Sequence, residues 1–172
     1  MHPRIRTSPL LLLLLTMIAA LALPAASARA EQVSASVTGV LNNGSSFDGT
    51  FRVNRFRSTR LGVVASGLLI GTVTSGNGRV TDVISNRITV PVVDVRSPGT
   101  SCDVLLFTMD RVDMVQTNFT LHVDAFDMDI DSNAIGFNFG GQFCTIAHAF
   151  DTGQFTQMAS SLNNVLDILN NL

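Results

Sequence analysis

Apolar and polar residues alternate over much of the chain beyond residue 31, as they do in strands with one buried face. The clearest alternation runs from Asp48 to Phe56, between a turn cluster at 42–46 and a polar turn at 57–60. The next segment, Leu61 to Thr74, is nearly all apolar or small, and its three glycines disfavour a helix. It predicts a strand buried on both faces, curved or bulged at glycine.

The second half of the chain predicts further short strands. Val80 to Val95 predicts one strand or a pair, with Pro91 at an edge or a bulge. Apolar residues occupy odd positions from Phe119 to Ala125 and then even positions from Phe126 to Ile130. A slip of one residue moves side chains to the other face of a strand, so this change of parity predicts a bulge.

Helical spacing begins only near the end of the chain. Cys144 to Phe150 predicts a short helix broken by Gly153, and from Phe155 apolar residues recur every three or four positions. Six to eight antiparallel strands followed by helix indicate a mainly β (α+β) fold. We expect a curved antiparallel sheet, a sandwich or a small barrel, with one or two C-terminal helices.

The first thirty residues resemble a cleavable secretory signal peptide. Arg4 and Arg6 precede an apolar run from Leu10 to Leu23, and Ala28-Arg29-Ala30 is typical of a cleavage site. The run is shorter than the roughly 20 residues that a membrane-spanning helix needs. The sequence therefore predicts a signal peptide over residues 1–30, and a single secreted or periplasmic domain over residues 31–172 with no transmembrane segment.

The predicted export favours a disulfide between the two cysteines. Cys102 and Cys144 both lie in the predicted mature chain, and exported proteins with an even cysteine count usually oxidise them. The sequence therefore predicts a disulfide between them. Closing this loop stabilises the fold by about 4 kcal/mol in the chain-entropy treatment.

The charge of the mature chain excludes some classes of partner. Without the signal peptide, eight arginines remain against 13 acidic residues, which gives a net charge of −5 with neutral histidines. Nucleic-acid binding requires a basic surface, so no nucleic-acid partner is expected. Tryptophan and tyrosine are absent, which disfavours a large, tight protein interface.

An acidic ladder is the first candidate for chemistry. Asp127, Asp129 and Asp131 project from one face of a predicted strand, where like charges repel and a cation would stabilise them. Calcium, which prefers oxygen ligands, is the candidate ion. The alternative is a solvated outer face, offset by arginines of another strand, namely Arg52, Arg55, Arg57 and Arg60.

A second candidate is the pair of His122 and Asp124, which share a strand face so that the carboxylate could orient the imidazole. A zinc site would need further ligands that the sequence does not supply. The sequence contains no G-x-S-x-G, S-x-x-K or H-E-x-x-H motif. An enzyme would therefore be a metal-assisted envelope hydrolase that uses the Asp and His residues of 122–131.

Several segments resemble a family of small secreted bacterial proteins of unknown function. They are Phe51–Phe56, Gly67–Thr74, Ser101–Leu105, Leu121–Asp124 and Phe143-Cys144. The resemblance implies a β-rich domain with two cysteines and a C-terminal helix, and it brings no activity. Independently of this resemblance, and because the sequence contains no catalytic motif, we expect a non-catalytic domain that binds a small apolar ligand or a cell-envelope partner, in a pocket closed by the C-terminal helix.

Overall fold

The computed structural model describes residues 33–133, 136 and 138–171, and the signal peptide predicted over residues 1–30 lies outside this part of the chain. The described residues form eight strands followed by two helices. The strands are β1 (Ser34–Leu41), β2 (Ser46–Thr59), β3 (Gly62–Thr74), β4 (Val80–Arg96), β5 (Val104–Met109), β6 (Val112–Val115), β7 (Thr120–Val123) and β8 (Phe126–Asp131). The helices are α1 (Gly140–Asp151) and α2 (Phe155–Leu169).

All eight strands belong to one antiparallel sheet in the order β6-β7-β1-β2-β3-β4-β5-β8. The predicted mainly β fold, with a curved antiparallel sheet and C-terminal helices, is confirmed. The apolar stretch from Val80 forms one strand of 17 residues rather than a pair. Its register against β5 shifts between Val92 and Asp94, next to Pro91, where a bulge was predicted.

The pair β6-β7 at one end of the sheet and the pair β5-β8 at the other end form one long, bent hairpin. β5 leads into β6 through Asp110 and Arg111, and β7 leads into β8 through Asp124 and Ala125. One half of this hairpin pairs with β4 and the other half pairs with β1. The hairpin therefore lies across the gap between β4 and β1 and curls the sheet. The predicted parity slip falls at this junction, where the strand breaks instead of continuing through a bulge.

The inner face of the curled sheet and the helices share one apolar core. The Phe51 ring on β2 meets the Phe126 ring on β8 edge to face, with centroids 5.8 Å apart. Gly67 allows the close approach of β2 and β3, because a Cβ there would lie 2.7 Å from the Phe51 ring. A side chain at this position would force the two strands apart.

The prediction that β3 is buried on both faces is wrong. Its residues alternate between buried and half-buried, with Ala65 and Leu69 fully buried and Ser66 and Leu68 half-buried on the other face. Among the described residues, the helices pack on the inner face, and side chains of β2 and β4 flank the outer face of β3. A run of apolar and small residues does not distinguish this partial cover from a second packed layer.

The predicted disulfide is confirmed. Cys102, which follows β4, and Cys144 on α1 are bonded with their Cα atoms 5.5 Å apart. This separation is ordinary for a disulfide. The bond fastens the first helix to the loop that enters β5, and therefore to the sheet.

The second helix is fastened to an edge of β2 by one side chain. Among the described residues, β1 pairs with β2 as far as Arg52, and no described strand pairs with this edge of β2 beyond Val53. Asn163 of α2 occupies this edge. Its Oδ1 accepts the Phe56 N–H at 2.8 Å, and its Nδ2 donates to the Phe56 carbonyl at 2.9 Å.

We expect Asn163→Ala to lower the free energy of unfolding by about 1–3 kcal/mol, because both backbone groups of Phe56 lose their partners. Asn164→Ala is the matched control, since Asn164 is exposed on the same helix and should cost less than about 0.5 kcal/mol. Urea unfolding of the two variants measures the difference. Equal stabilities would contradict the role assigned to Asn163.

Replacing both cysteines by alanine should lower the free energy of unfolding by up to about 4 kcal/mol, because the unfolded chain gains the entropy of an open 42-residue separation. Reduction of the wild-type protein should cause a comparable loss, and the double variant should not respond to reductant. A double variant as stable as the oxidised wild type would refute this contribution.

Candidate functional site

An apolar cleft of about 400 Å³ opens where the β2–β3 hairpin and β4 meet the junction of the two helices. We call it the apolar cleft. Its walls come from all three regions, and apart from Thr59 and Gly62 the lining side chains are apolar. They are Thr59, Leu61, Gly62, Val63, Val64, Pro91, Val92, Val93, Phe150 and Phe155.

Local structure explains why apolar groups collect there. Gly153, with φ of +69°, follows α1 and lets the chain turn back into α2. The turn brings the rings of Phe150 and Phe155 within 6.3 Å of each other, edge to face. Across the cleft, Leu61 in the β2–β3 turn is 96% exposed and Val93 is 49% exposed. Exposed apolar side chains grouped around a recess are typical of a binding site.

A second cavity, of about 490 Å³, lies on the outer face of β2, β3 and β4. We call it the arginine pocket. Its lining is mostly polar and contains three arginines. The lining residues are Asn54, Arg55, Arg57, Ser66, Gly67, Arg87, Ile88 and Thr89.

The arginine pocket results from a bulge and a small residue. The register of β2 against β3 shifts between Val53 and Arg55, which leaves Asn54 and Arg55 both exposed. Ser66 of β3 lies opposite Arg55, and its hydroxyl shares a 3.1 Å hydrogen bond with that of Thr89 on β4. Because the Ser66 side chain on β3 is shorter than the arginine side chains on β2 and β4, the outer face forms a recess at this position.

Among the described residues, no carboxylate forms an ion pair with an arginine of the arginine pocket. Within the described part of the chain, the ion pairs are Arg96 with Asp94 and His122 with Asp113, so none involves a pocket arginine. The lining itself contains no acidic residue. The pocket therefore concentrates positive charge on a chain whose overall charge is negative.

The acidic ladder lies elsewhere, on edge strand β8, which pairs with β5 and not with the arginines of β2. Asp127 Oδ1 accepts from the Thr108 hydroxyl at 2.9 Å, and Asp131 Oδ1 accepts from the Asn133 N–H at 2.8 Å. Asp127 and Asp129 are exposed. In residues 33–133, 136 and 138–171, no three His, Cys, Asp or Glu side chains are grouped to hold a metal ion. Calcium binding by the ladder stays a prediction.

His122 pairs with a different carboxylate from the one predicted. Its Nδ1 lies 2.8 Å from Asp113 Oδ1, directly across the β6–β7 pair, while Asp124 accepts from the Thr38 hydroxyl at 3.1 Å. Residues directly opposite in an antiparallel pair have Cβ atoms about 5 Å apart, closer than next-but-one residues on one strand. A hydrolase built on residues 122–131 stays a prediction.

Comparison of the chain with protein-family models, curated proteins and solved structures finds no significant match. The resemblance to secreted bacterial proteins therefore rests on the sequence segments alone. Within the described residues, neither helix has the length and apolar character needed to cross a membrane.

The sequence predicted an apolar pocket closed by the C-terminal helix, but it predicted neither the position of the apolar cleft nor the arginine pocket. The arginines of β2 were interpreted only as counter-charges for the acidic ladder. Leu61 was assigned to a buried strand, whereas it lies exposed in a turn. One feature of the sequence could have indicated the arginine pocket, namely a basic segment at 52–60 followed by a segment rich in small residues. Only the register of β2 against β3 shows which residues of the two segments lie opposite each other.

Proposed function

We propose that the mature chain is an exported, non-catalytic binding domain of bacterial origin that takes a small apolar ligand in the apolar cleft. The binding of an apolar group of a cell-envelope partner would use the same surface. The signal-peptide pattern and the disulfide both support a secreted or periplasmic location, because disulfides persist in oxidising compartments.

The observation that carries the proposal is the exposed apolar rim of a recess of about 400 Å³. Small-molecule sites are typically apolar recesses of roughly 300–1,000 Å³. Leu61 is 96% exposed beside this recess. A ligand that covers Leu61 would remove its apolar surface from water, which favours binding. An ordinary surface leucine would have no apolar recess beside it.

The position of the site also follows from how the core is filled. Phe51, Phe107 and Phe143 are at most 1% exposed, so aromatic rings occupy the space enclosed by the sheet and the helices. A ligand is better accommodated at the seam between the sheet and the helix junction. This keeps the predicted involvement of the C-terminal helix and moves the pocket from the interior to the end of the sheet.

A neutral fluorescent dye such as Nile red tests the proposal on the mature protein. We expect saturable binding of one dye per chain, weakened at least tenfold by Leu61→Asp, because a charge at the rim opposes apolar contact. Val80→Asp is the matched control, since Val80 is 62% exposed and lies outside the cleft. Absence of saturable binding, or equal losses in both variants, would contradict the proposal.

A further inference from the structure

The apolar cleft and the arginine pocket adjoin along one row of paired residues. Arg57 of β2 lies opposite Val64 of β3, and Val64 lies opposite Pro91 of β4. Arg57 lines the arginine pocket, while Val64 and Pro91 line the apolar cleft. Directly opposite residues have Cβ atoms about 5 Å apart, so a basic wall and an apolar wall share this border.

The next row places the basic pocket along the same strands. Arg55, Ser66 and Thr89 are paired across β2, β3 and β4, two residues from the border row, and all three line the arginine pocket. Two residues of strand span roughly 7 Å. A single molecule of modest length can therefore occupy both cavities.

The chemistry of the arginine pocket indicates the kind of group it takes. Arg55, Arg57 and Arg87 have no carboxylate partner among the described residues. A guanidinium presents a planar fork of donors that matches phosphate and carboxylate oxygens. Three of them suit a doubly charged tetrahedral group better than a singly charged carboxylate. The Asn54 amide and the hydroxyl proton left over from the Ser66–Thr89 bond supply further donors.

We propose that the ligand is an anionic amphiphile whose alkyl chain lies in the apolar cleft and whose phosphate head group lies in the arginine pocket. This inference rests on the proposed function, because it assigns a ligand class to the same cleft. A purely apolar ligand would leave three charged side chains without a counter-ion at its end. A bare anion would leave the apolar rim exposed.

The ligand binds as a single molecule rather than as part of a bilayer. The mature chain carries a net charge of −5, which opposes approach to an anionic membrane surface. Both cavities are recesses of about 400–490 Å³, a size suited to one small molecule.

Calorimetric titration of the mature protein with decyl phosphate, decanol and inorganic phosphate tests this assignment, with each amphiphile kept monomeric. We expect one decyl phosphate per chain, bound at least tenfold more tightly than decanol or inorganic phosphate. Octyl phosphate should bind about fifteenfold more weakly than decyl phosphate, the effect of two buried methylenes at about 0.8 kcal/mol each.

Arg55→Gln and Arg87→Gln should each weaken decyl phosphate at least tenfold and leave decanol unchanged. Arg79→Gln removes the same charge from an exposed turn outside the pocket and should leave both ligands unchanged. An equal loss in all three variants would indicate a diffuse charge effect and overturn the assignment of the pocket.

The remaining outcomes separate this inference from the proposed function. Equal binding of decanol and decyl phosphate, insensitive to Arg87→Gln, would overturn the amphiphile and leave the apolar site intact. Inorganic phosphate binding as tightly as decyl phosphate would also overturn it, as would binding only to phosphatidylglycerol vesicles. Binding of none of these ligands would remove both proposals.

Discussion

The shape of the apolar cleft depends on how the two C-terminal helices are held against the end of the sheet. Asn163 fastens α2 to the edge of β2 through two hydrogen bonds to Phe56. The disulfide of Cys144 fastens the other helix to the loop before β5. Between these two attachments lies the helix junction with Phe150 and Phe155, which forms one wall of the apolar cleft. Loosening either attachment would therefore change the cleft as well as the stability.

The curl of the sheet explains why the helices have only one face to cover. The bent hairpin of β5 to β8 spans the gap between β4 and β1, so the inner face becomes enclosed and the helices complete its core. The outer face of β2, β3 and β4 is left to solvent, apart from side-chain cover. Arginines can therefore gather there without the cost of burying a charge. The seam between this basic face and the helix junction is where polar and apolar surface meet.

Local pattern was enough to predict much of the fold. The strands and the two helical segments follow from alternation and helical spacing, and the disulfide follows from the cysteine count together with the predicted signal peptide. Predictions failed where they depended on which residue of another strand lies beside a given side chain. His122 was paired with Asp124 on its own strand, whereas the strand register gives it Asp113. The small and apolar run of β3 was assigned two buried faces because cover by neighbouring side chains cannot be distinguished from a packed layer.

Most of the candidate site could not be predicted from the sequence, because it depends on which residues the strand register brings together. Arg57, Val64 and Pro91 are distant along the chain and meet only through two strand registers. The acidic ladder was predicted as a cation site because its residues are close in sequence, yet the described residues form no metal-holding cluster there. Sequence proximity favours sites on one strand, whereas these cavities lie across three strands and a helix junction.

The most direct test of the proposed binding site is a map of amide chemical-shift changes in the 15N-labelled protein of residues 31–172 as octyl phosphate is added. We expect the largest changes to form one continuous patch over 54–66, 87–93 and the helix junction at 150–155, which together line both cavities. Changes centred on the β6–β7 edge around His122, or on the acidic strand β8, with both cavities unaffected, would contradict a binding seam between sheet and helices.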